Sequence, residues 1–409
     1  MKILTQTARI LTGLLFLFSG FVKGIDPLGT AFKFSDYFKA FSMPFLDDLS
    51  LPLAMILCMV EFATGMMLLT GSFVRTASWA AALMMALFTP LTLVLAIFNP
   101  VSDCGCFGDA IHMTNWQTFF KNIVLTVIVI VVFIRRDDRE GVLTFRGALA
   151  ATGTSVIVFL LFMWYNLAYL PVIDFRPYRV GTNLPEAMSV PPGAPADKYD
   201  IRFIYEKDGL QKEFTLSDYP ADDTAWKFID QKSVLISAGY VPPLHDFRLV
   251  TGNGVDMTDH ITGSGEHLLL MVARRLEKAD REGLQQGYDL GLSLQDKGKG
   301  FYIVTATPFE TAAEIAPGFN LLFADETTLK TVIRSDPGFL LLHNGTLMAM
   351  WSAGNLPDKT EFDGDLNTLA VRTLTRKKNI LTIISSVLIV SLLVALSARF
   401  RLTDNKSNK

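Results

Sequence analysis

Six apolar stretches constrain this chain more than any other feature of its sequence. Each is about 20 residues long, and a helix of that length crosses the ~30 Å hydrocarbon core of a bilayer at about 1.5 Å per residue. They cover roughly residues 6–23, 51–71, 76–98, 116–134, 147–168 and 379–398. Only 19% of the 409 residues are charged, whereas soluble domains carry about 25%. The sequence therefore predicts an integral membrane protein in contact with the lipid bilayer.

The first stretch has two interpretations. Lys2 and Arg9 stand before or within a short apolar run, which is typical of a signal peptide. However, residues 19–24 (SGFVKG) form a poor small-x-small cleavage site, and further apolar stretches follow. We interpret the first stretch as a retained helix.

An aromatic segment follows the first stretch and alternates with charges. It contains Phe32, Phe34, Tyr37, Phe38, Phe41 and Phe45 among Lys33, Asp36 and Lys39. This composition predicts either an amphipathic helix in the membrane interface or a surface helix packed on the bundle.

The distribution of Lys and Arg predicts the topology, because cytoplasmic loops carry an excess of these residues. The loop from 99 to 115, called the Cys loop below, contains neither residue. We expect a multi-pass protein of a bacterial cytoplasmic (inner) membrane, with both termini and the 135–146 loop in the cytoplasm. The Cys loop and residues 171–378 would then be extracytoplasmic. Two crossings separate them, so they share one side whichever way the protein inserts.

Residues 171–378 have the composition of a folded aqueous domain. The turn sequences Asp208–Gly209, Gly252–Asn253–Gly254 and Asn344–Gly345 each stand between strand-like runs, a pattern that indicates β-hairpins. Strands are predicted at 267–273, 301–306, 321–323, 338–343 and 348–352, with helices at 277–296, 308–316 and 327–334. This alternation predicts an α/β domain with a mixed sheet.

The order of these elements, ending in Asp336–Pro337–Gly338 and a terminal hairpin, resembles the thioredoxin-like fold over residues 241–365. The resemblance implies that Pro337 occupies the family's cis-proline position. The family's reactive cysteines would follow the central strand, but residues 273–278 (ARRLEK) and the rest of this domain contain none. Without a thiolate there is no nucleophile for disulfide exchange. A binding or scaffolding role is therefore expected for this domain.

The Cys loop contains two of the three cysteines, in the sequence Asp103–Cys104–Gly105–Cys106–Phe107–Gly108–Asp109. A disulfide needs Cα atoms about 4.4–6.8 Å apart, so the backbone must turn, and Gly105 permits the turn. A small ring of this kind would be strained and easily reduced. Three interpretations stay open: a redox-active disulfide, a structural staple, or a metal site with His112, whose spacing is not a standard zinc pattern. Asp103 and Asp109 would raise the thiol pKa values.

Glu61 lies near the middle of the second stretch, where a carboxylate is costly and usually functional. We expect it to pair with a cation, Lys121 in preference to Lys23, and either to shape a functional interior or only to fix the register of the helices. Cys58 shares its helix face, and we interpret Cys58 as a buried packing residue. Gly65 extends that face and would let another helix approach.

The run Phe18-Ser-Gly-Phe-Val-Lys-Gly-Ile-Asp-Pro27, Glu61 and the Asp103–Asp109 motif together resemble the DoxX/MauE superfamily of four-helix membrane proteins. Family members named for methylamine utilisation are linked to disulfide formation in an exported dehydrogenase subunit. The resemblance, over residues 1–136, implies a thiol-redox role on the extracytoplasmic face. The chain beyond residue 136 exceeds the family's usual length, so the methylamine label is not carried over.

The predicted fold class is an α-helical membrane protein with an α/β thioredoxin-like soluble domain. Its parts are a four-helix bundle (1–136), a fifth span (147–168), a linker with a β-hairpin (171–240), the soluble domain (241–365) and a C-terminal span (379–398). Cys104 and Cys106 would exchange disulfides or electrons with an exported client or redox partner protein, and a quinone could accept the electrons. No haem, dinucleotide or P-loop motif is evident, and no basic cluster indicates nucleic acid. The alternatives are a non-enzymatic assembly factor with a Cys104–Cys106 staple and, from Glu61 alone, transport.

Overall fold

The computed structural model describes residues 2–101, 103–137, 145–220 and 223–407. For Lys2, Leu388 and residues 391–407 it describes the backbone alone.

Twelve α-helices occur in the described ranges. They are α1 (Lys2–Ile25), α2 (Pro27–Ala40), α3 (Ser50–Thr70), α4 (Val74–Phe98), α5 (Asn115–Ile134), α6 (Phe145–Ala168), α7 (Leu184–Met188), α8 (Thr258–Thr262), α9 (Arg281–Asp296), α10 (Phe309–Ile315), α11 (Glu326–Val332) and α12 (Leu366–Ser407). Among the described residues, five helices are long and apolar enough to cross a membrane: α1, α3 with the 3₁₀ turn before it, α4, α5 and α6. The first five predicted spans are confirmed.

The sixth predicted span, 379–398, falls in the second half of α12. The backbone is helical there, and α12 is continuous from Leu366 to Ser407. The side chains of Leu388 and of residues 391–398 lie outside the described residues, so this span stays a prediction.

Helices α1 and α3 pack closely because a glycine on each helix leaves room for the backbone of the other. A Cβ atom on Gly65 would lie 2.4 Å from the backbone nitrogen of Leu17, and one on Gly20 would lie 2.5 Å from that of Phe62. Small residues of this kind allow two membrane helices to approach closely. The helix approach predicted at Gly65 is made by α1.

The aromatic segment predicted to be helical forms α2, which begins at Pro27 with Asp26 as its N-cap. The side chain of Asp26 accepts a hydrogen bond from the backbone nitrogen of Gly29 (2.8 Å). Pro27, Thr30, Ala31, Ser35 and Phe38 are its buried residues. Two of the named aromatics lie beyond α2. Phe41 is its C-cap, and Phe45 lies in the following 3₁₀ turn, Pro44–Leu49, and is exposed.

The water-exposed part contains two sheets. The first is antiparallel, in the order β2-β1-β3, and its strands are β1 (Lys198–Lys207), β2 (Leu210–Thr215) and β3 (Lys227–Ser237). The second has the order β6-β5-β4-β7-β8, formed by β4 (His267–Ala273), β5 (Gly300–Thr305), β6 (Leu321–Phe323), β7 (Gly338–His343) and β8 (Thr346–Ser352). β4, β5 and β6 are parallel, whereas β7 and β8 are antiparallel to their neighbours. The predicted α/β domain with a mixed sheet is confirmed.

Two of the predicted hairpins turn at residues with positive φ. Asp208 and Gly209 (φ 52° and 79°) join β1 to β2, and Asn344 and Gly345 (φ 48° and 69°) join β7 to β8. The third turn, around Gly254, is closed by one bridge between Val250 and Asp256. The Asp336–Pro337 peptide bond, directly before β7, is cis.

The mixed sheet is covered on both faces. One hydrophobic cluster includes Leu269, Met271, Phe301, Phe339 and Trp351. The second cluster lies on the opposite face. The first turn of α12 belongs to the first cluster through Leu366, Leu369 and Ala370. The soluble domain is therefore fixed to the start of α12.

Candidate functional site

The Cys loop is closed at both ends by one side chain. Asn115, the first residue of α5, donates from Nδ2 to Asn99 Oδ1 and to the Val101 carbonyl, both at 2.8 Å. Thr114 and Gln117 form a capping box that starts α5. The Asn115 bonds bring the two ends of the Cys loop together.

Cys104 and Cys106 lie side by side as free, half-buried thiols. Their Sγ atoms are 3.0 Å apart. Gly105 between them has φ +64°, a conformation in which other residues are strained. The backbone nitrogen of Gly108 donates to the Gly105 carbonyl at 3.0 Å, so the motif forms a tight turn with both sulfurs on one side.

Two side chains from outside the loop fix the backbone of the pair. Tyr37 on α2 donates its hydroxyl to the Cys104 carbonyl (2.6 Å), and Ser19 on α1 donates to the Cys106 carbonyl (2.9 Å). Burial raises the pKa of Tyr37, with a further contribution from the nearby cysteines. This phenol therefore remains a hydrogen-bond donor.

The two thiols differ in acidity. The hydrogen bond between the two thiols lowers the pKa of Cys106 to about 6, and the charges of Lys121 and Lys23 act in the same direction. The same hydrogen bond, followed by burial, raises the pKa of Cys104. A thiolate is the nucleophilic form of cysteine, and the lowered pKa makes Cys106 the more acidic of the two thiols.

The expectation that Asp103 and Asp109 would raise the thiol pKa values is wrong for Cys106. Both carboxylates are paired with cations from other elements. Asp103 Oδ1 lies 3.0 Å from Lys33 Nζ on α2, and Asp109 Oδ2 lies 3.0 Å from Arg334 in the soluble domain. The largest influences on the pKa of Cys106 are its hydrogen bond with Cys104, burial and the charges of two lysines.

His112 does not join the cysteines. It is 68% exposed, and its Nδ1 lies 3.9 Å from Asp103 Oδ2. In the described part of the chain, no group of three or more His, Cys, Asp or Glu side chains is placed to share a metal ion. The ligand set of Cys104, Cys106 and His112 is therefore not assembled here.

Glu61 pairs with Lys23 and not with Lys121, so the preferred pairing is wrong. Lys23 Nζ donates to Glu61 Oε1 at 2.7 Å, and both side chains are at most 5% exposed. The close α1–α3 contact at Gly20 carries Lys23, one turn further along α1, to Glu61. The ammonium of Lys121 instead lies 4.5 Å from the ring centroid of Phe107, the residue that follows Cys106 in the sequence.

Cys58 is fully buried in a cluster that includes Ile25, Phe62 and Phe159. It lies at the α1–α3 contact, where its carbonyl oxygen would be 2.9 Å from a Cβ atom on Gly20. Its position is that of a packing residue.

An elongated cavity of about 690 Å³ extends from the cysteine pair into the helical bundle. Its polar end is formed by Cys104, Cys106, Lys23, Glu61, Tyr37 and Lys121. The remaining wall is mainly apolar and comes from α1, α3, α4 and α5. Volumes of this size are typical of small-molecule sites.

The soluble domain contacts the Cys loop through Arg334, which is 7% exposed. Its guanidinium contacts Asp26 Oδ2 (2.7 Å) at the start of α2 and Asp109 Oδ2 (3.0 Å) in the Cys loop. Phe32 on α2 lies between three cations of the domain, with Arg274 and Arg334 each 5.3 Å and Lys330 5.6 Å from its ring centroid. The domain and the Cys loop therefore lie on the same side of the bundle.

Sequence reasoning missed Ser19, Lys33 and Arg334 as site residues. Ser19 lies in the run from Phe18 to Pro27 that carries the DoxX/MauE resemblance, and this position was the signal that could have identified it as a site residue. Tyr37 and Lys33 appeared only as part of an amphipathic pattern. Arg334 gives no local signal, because its partner Asp109 is 225 positions away.

These features define a multi-span helical membrane protein with a paired-cysteine loop over an apolar cavity and an attached α/β domain. Residues 1–135 match the family described as methylamine utilisation protein MauE, which confirms that part of the predicted resemblance. The relationship to DoxX stays a prediction. Residues 199–238, which cover most of the antiparallel sheet, match a domain of unknown function (DUF8463).

One curated relative is Protein TlpB of Flavobacterium psychrophilum. It is 26% identical to this chain over 171 residues, which are 38% of this chain and 44% of TlpB. The chain thus spans less than half the length of the curated relative that it matches. No solved structure matches the chain significantly.

Proposed function

We propose that this protein is a thiol–disulfide oxidoreductase of a bacterial cytoplasmic membrane, which forms disulfides in exported client proteins on the extracytoplasmic face. Cys104 and Cys106 are the exchanging pair. The observation that carries the proposal is the contact of the two sulfurs at 3.0 Å, at the mouth of a membrane cavity. The MauE match over residues 1–135 supports the role, because that resemblance implies thiol-redox maturation.

The exchange reaction follows from the two acidities. In the oxidised protein, a client thiolate attacks Cys106 Sγ, and Cys104 leaves and takes up a proton. A second client thiolate then attacks the client sulfur of the mixed disulfide and releases Cys106 as a thiolate. A thiol of low pKa leaves faster, so the pKa of about 6 at Cys106 favours this step. The client loses two electrons and gains a disulfide. Of its two thiol protons, one ends on Cys104 and one passes to the solvent, because Cys106 stays a thiolate.

The soluble domain has a different role in this proposal. We infer that it has a thioredoxin-like fold, which its strand order β6-β5-β4-β7-β8 supports. It contains no cysteine, so its contribution is to hold clients or to cover the Cys loop. The contact between Arg334 and Asp109 supports the covering role.

A second candidate is a non-enzymatic assembly factor in which Cys104 and Cys106 only staple the loop. One observation favours it. Cys58, the remaining cysteine, is fully buried, so the chain offers no second exposed pair to relay electrons.

A redox titration of the detergent-solubilised protein separates the two candidates. Glutathione buffers set the potential, and alkylation of Cys104 and Cys106 is followed by mass. An exchanging pair should have a midpoint near or above about −230 mV, whereas structural disulfides usually lie below about −300 mV. A midpoint in the lower range, with normal function of the double serine variant, would leave only the staple.

Single serine variants test the assignment within the pair. With glutathione disulfide as probe, Cys104→Ser should form a stable mixed disulfide on Cys106, because the thiolate remains and the resolving thiol is gone. Cys106→Ser loses the hydrogen bond with Cys106 that is the largest cause of the raised Cys104 pKa, but burial still raises that pKa, so this variant should react more slowly. Equal reaction of both variants would contradict the division of roles.

A further inference from the structure

The apolar cavity below the cysteine pair is built for an amphipathic ligand. Its wall includes Leu53, Ile56 and Val60 of α3, Leu87 of α4 and Val124 of α5. Three of these side chains, Ile56, Leu87 and Val124, are 52–65% exposed on the outside of the bundle. Exposed apolar side chains on spanning helices face lipid, so the cavity can receive a molecule from the bilayer.

The polar end of the cavity contains an unused hydrogen-bond acceptor. Glu61 is 2% exposed and lines the cavity. Its Oε1 is bonded to Lys23, but its Oε2 is buried and has no hydrogen-bond partner among the described residues. A buried carboxylate oxygen without a partner is costly. A ligand with a hydroxyl group at this end would satisfy it.

Cationic and amide donors complete the same end. Lys121 and Asn122, on the first turns of α5, line the cavity next to the cysteine loop. Asn122 already donates from Nδ2 to Thr92 Oγ1 at 3.2 Å, whereas the ammonium of Lys121 lies against the ring of Phe107. The ligand head therefore meets an acceptor on α3, a cation on α5 and two thiols.

We propose that this cavity binds a lipid-soluble quinone, whose head lies between Glu61, Lys121 and the cysteine pair and whose isoprenoid tail follows the apolar wall. The inference rests on the proposed thiol–disulfide function and names its electron acceptor. The Cys104 thiol and Cys106 thiolate lose two electrons and the Cys104 proton and form the S–S bond. The quinone takes up these two electrons, that proton and one proton from the solvent, and leaves as the quinol. Glu61 Oε2 accepts the hydrogen bond of one quinol hydroxyl, and Lys121 donates to the opposite oxygen.

The test uses the full-length protein in detergent, reduced and freed of reductant, with decylubiquinone as the probe. Loss of quinone absorbance under anaerobic conditions should show one quinone reduced per cysteine pair. The variant with both cysteines changed to serine should reduce none. Alkylation should show that the pair has become a disulfide as the quinone is consumed.

Two tryptophan variants on α4 locate the reaction. Leu91 lines the cavity, whereas Leu93 does not and is 36% exposed. Leu91→Trp should raise the half-saturating quinone concentration at least about tenfold, because the indole fills the cavity. Leu93→Trp is the matched control and should leave it unchanged. Equal values in the two variants would overturn the assignment to this cavity.

Glu61→Gln tests the polar end. The loss of a charged acceptor should raise the half-saturating concentration about tenfold. Lys23→Met combined with Glu61→Gln removes both buried charges, so that variant keeps the test valid if the single variant does not fold. An unchanged value in a folded variant would show that Glu61 does not contact the quinone.

Exchange with glutathione disulfide, measured on the same samples, separates this inference from the proposed function. If exchange is normal and no quinone is reduced, even after bound phospholipid is removed, the cavity is a lipid site and this inference is wrong. If the protein neither exchanges nor reduces quinone, the proposed function fails as well.

Discussion

The low pKa of Cys106 gives the sharpest prediction, because its largest cause is one neighbouring side chain. Cys104→Ala removes the hydrogen bond that stabilises the Cys106 thiolate. The pKa of Cys106 should then rise from about 6 toward the ordinary value of about 8.5. At pH 7 the thiolate fraction should fall from about 90% to about 3%.

The reaction rate changes less than the thiolate fraction. A more basic thiolate is more nucleophilic, with a Brønsted coefficient of about 0.4–0.5, so a rise of about 2.5 pKa units makes it about tenfold more reactive. At pH 7 the variant should therefore react with iodoacetamide only about threefold more slowly. Above pH 9 it should react faster than the unchanged protein. The pH at which Cys106 is alkylated at half its maximal rate is therefore the measurement that decides the prediction.

The assay follows alkylation of reduced protein by mass between pH 5 and 10. Thiolate forms as pH rises through the pKa, so the rate at Cys106 should rise through about pH 6 in the unchanged protein and through about pH 8.5 in Cys104→Ala. Cys104→Ser is the matched control, because its hydroxyl still donates and should keep the midpoint nearer pH 6. Modification of buried Cys58 would mark unfolded molecules. A common midpoint in all three proteins would refute the argument.

Three further predictions concern packing, docking and topology. Gly65→Leu should strongly lower the midpoint of thermal unfolding, because its Cβ would meet the backbone of α1. Gly153→Leu is the control and should have little effect, since no atom lies within 4 Å of a Cβ there. A thermal scan of the detergent-solubilised proteins compares the two variants. Arg334→Gln should speed hydrogen exchange in residues 103–110, because the loop loses its bridge to the soluble domain; unchanged exchange would mean that the bridge does not restrain the loop. Reporters inserted after Ile111 and after Lys198 should register the same side of the membrane, and opposite sides would contradict the span count.

The membrane helices and the hairpins could be predicted because their signals are local. Twenty apolar residues suffice to define a span, and Asp208–Gly209 and Asn344–Gly345 define turns through their own φ preferences. The strands of the mixed sheet were likewise located along the chain from their apolar runs. The spans and turns therefore depend little on how the rest of the chain folds.

The partners of the charged groups could not be predicted, because they depend on how helices rotate and approach one another. Both Lys23 and Lys121 stood near Glu61 along the membrane normal. The choice between them was made by the glycine contact between α1 and α3, which turns the face of Lys23 toward Glu61. The acidity of the thiols was misjudged for a related reason. Asp103 and Asp109 have partners on α2 and in the soluble domain, and neither partner is visible from the loop sequence.

The soluble domain is attached at both of its ends. It follows α6 directly, and it continues into α12, whose residues Ile380 and Ile384 pack with the α6 cluster. A module held in this way keeps a high effective concentration at the Cys loop, because the contact forms within one chain. The Arg334 bridge can then be individually weak and still be occupied most of the time. Under the proposed function, a client that binds the same surface would have to displace the Arg334 bridge, so the strength of that bridge would set the client affinity.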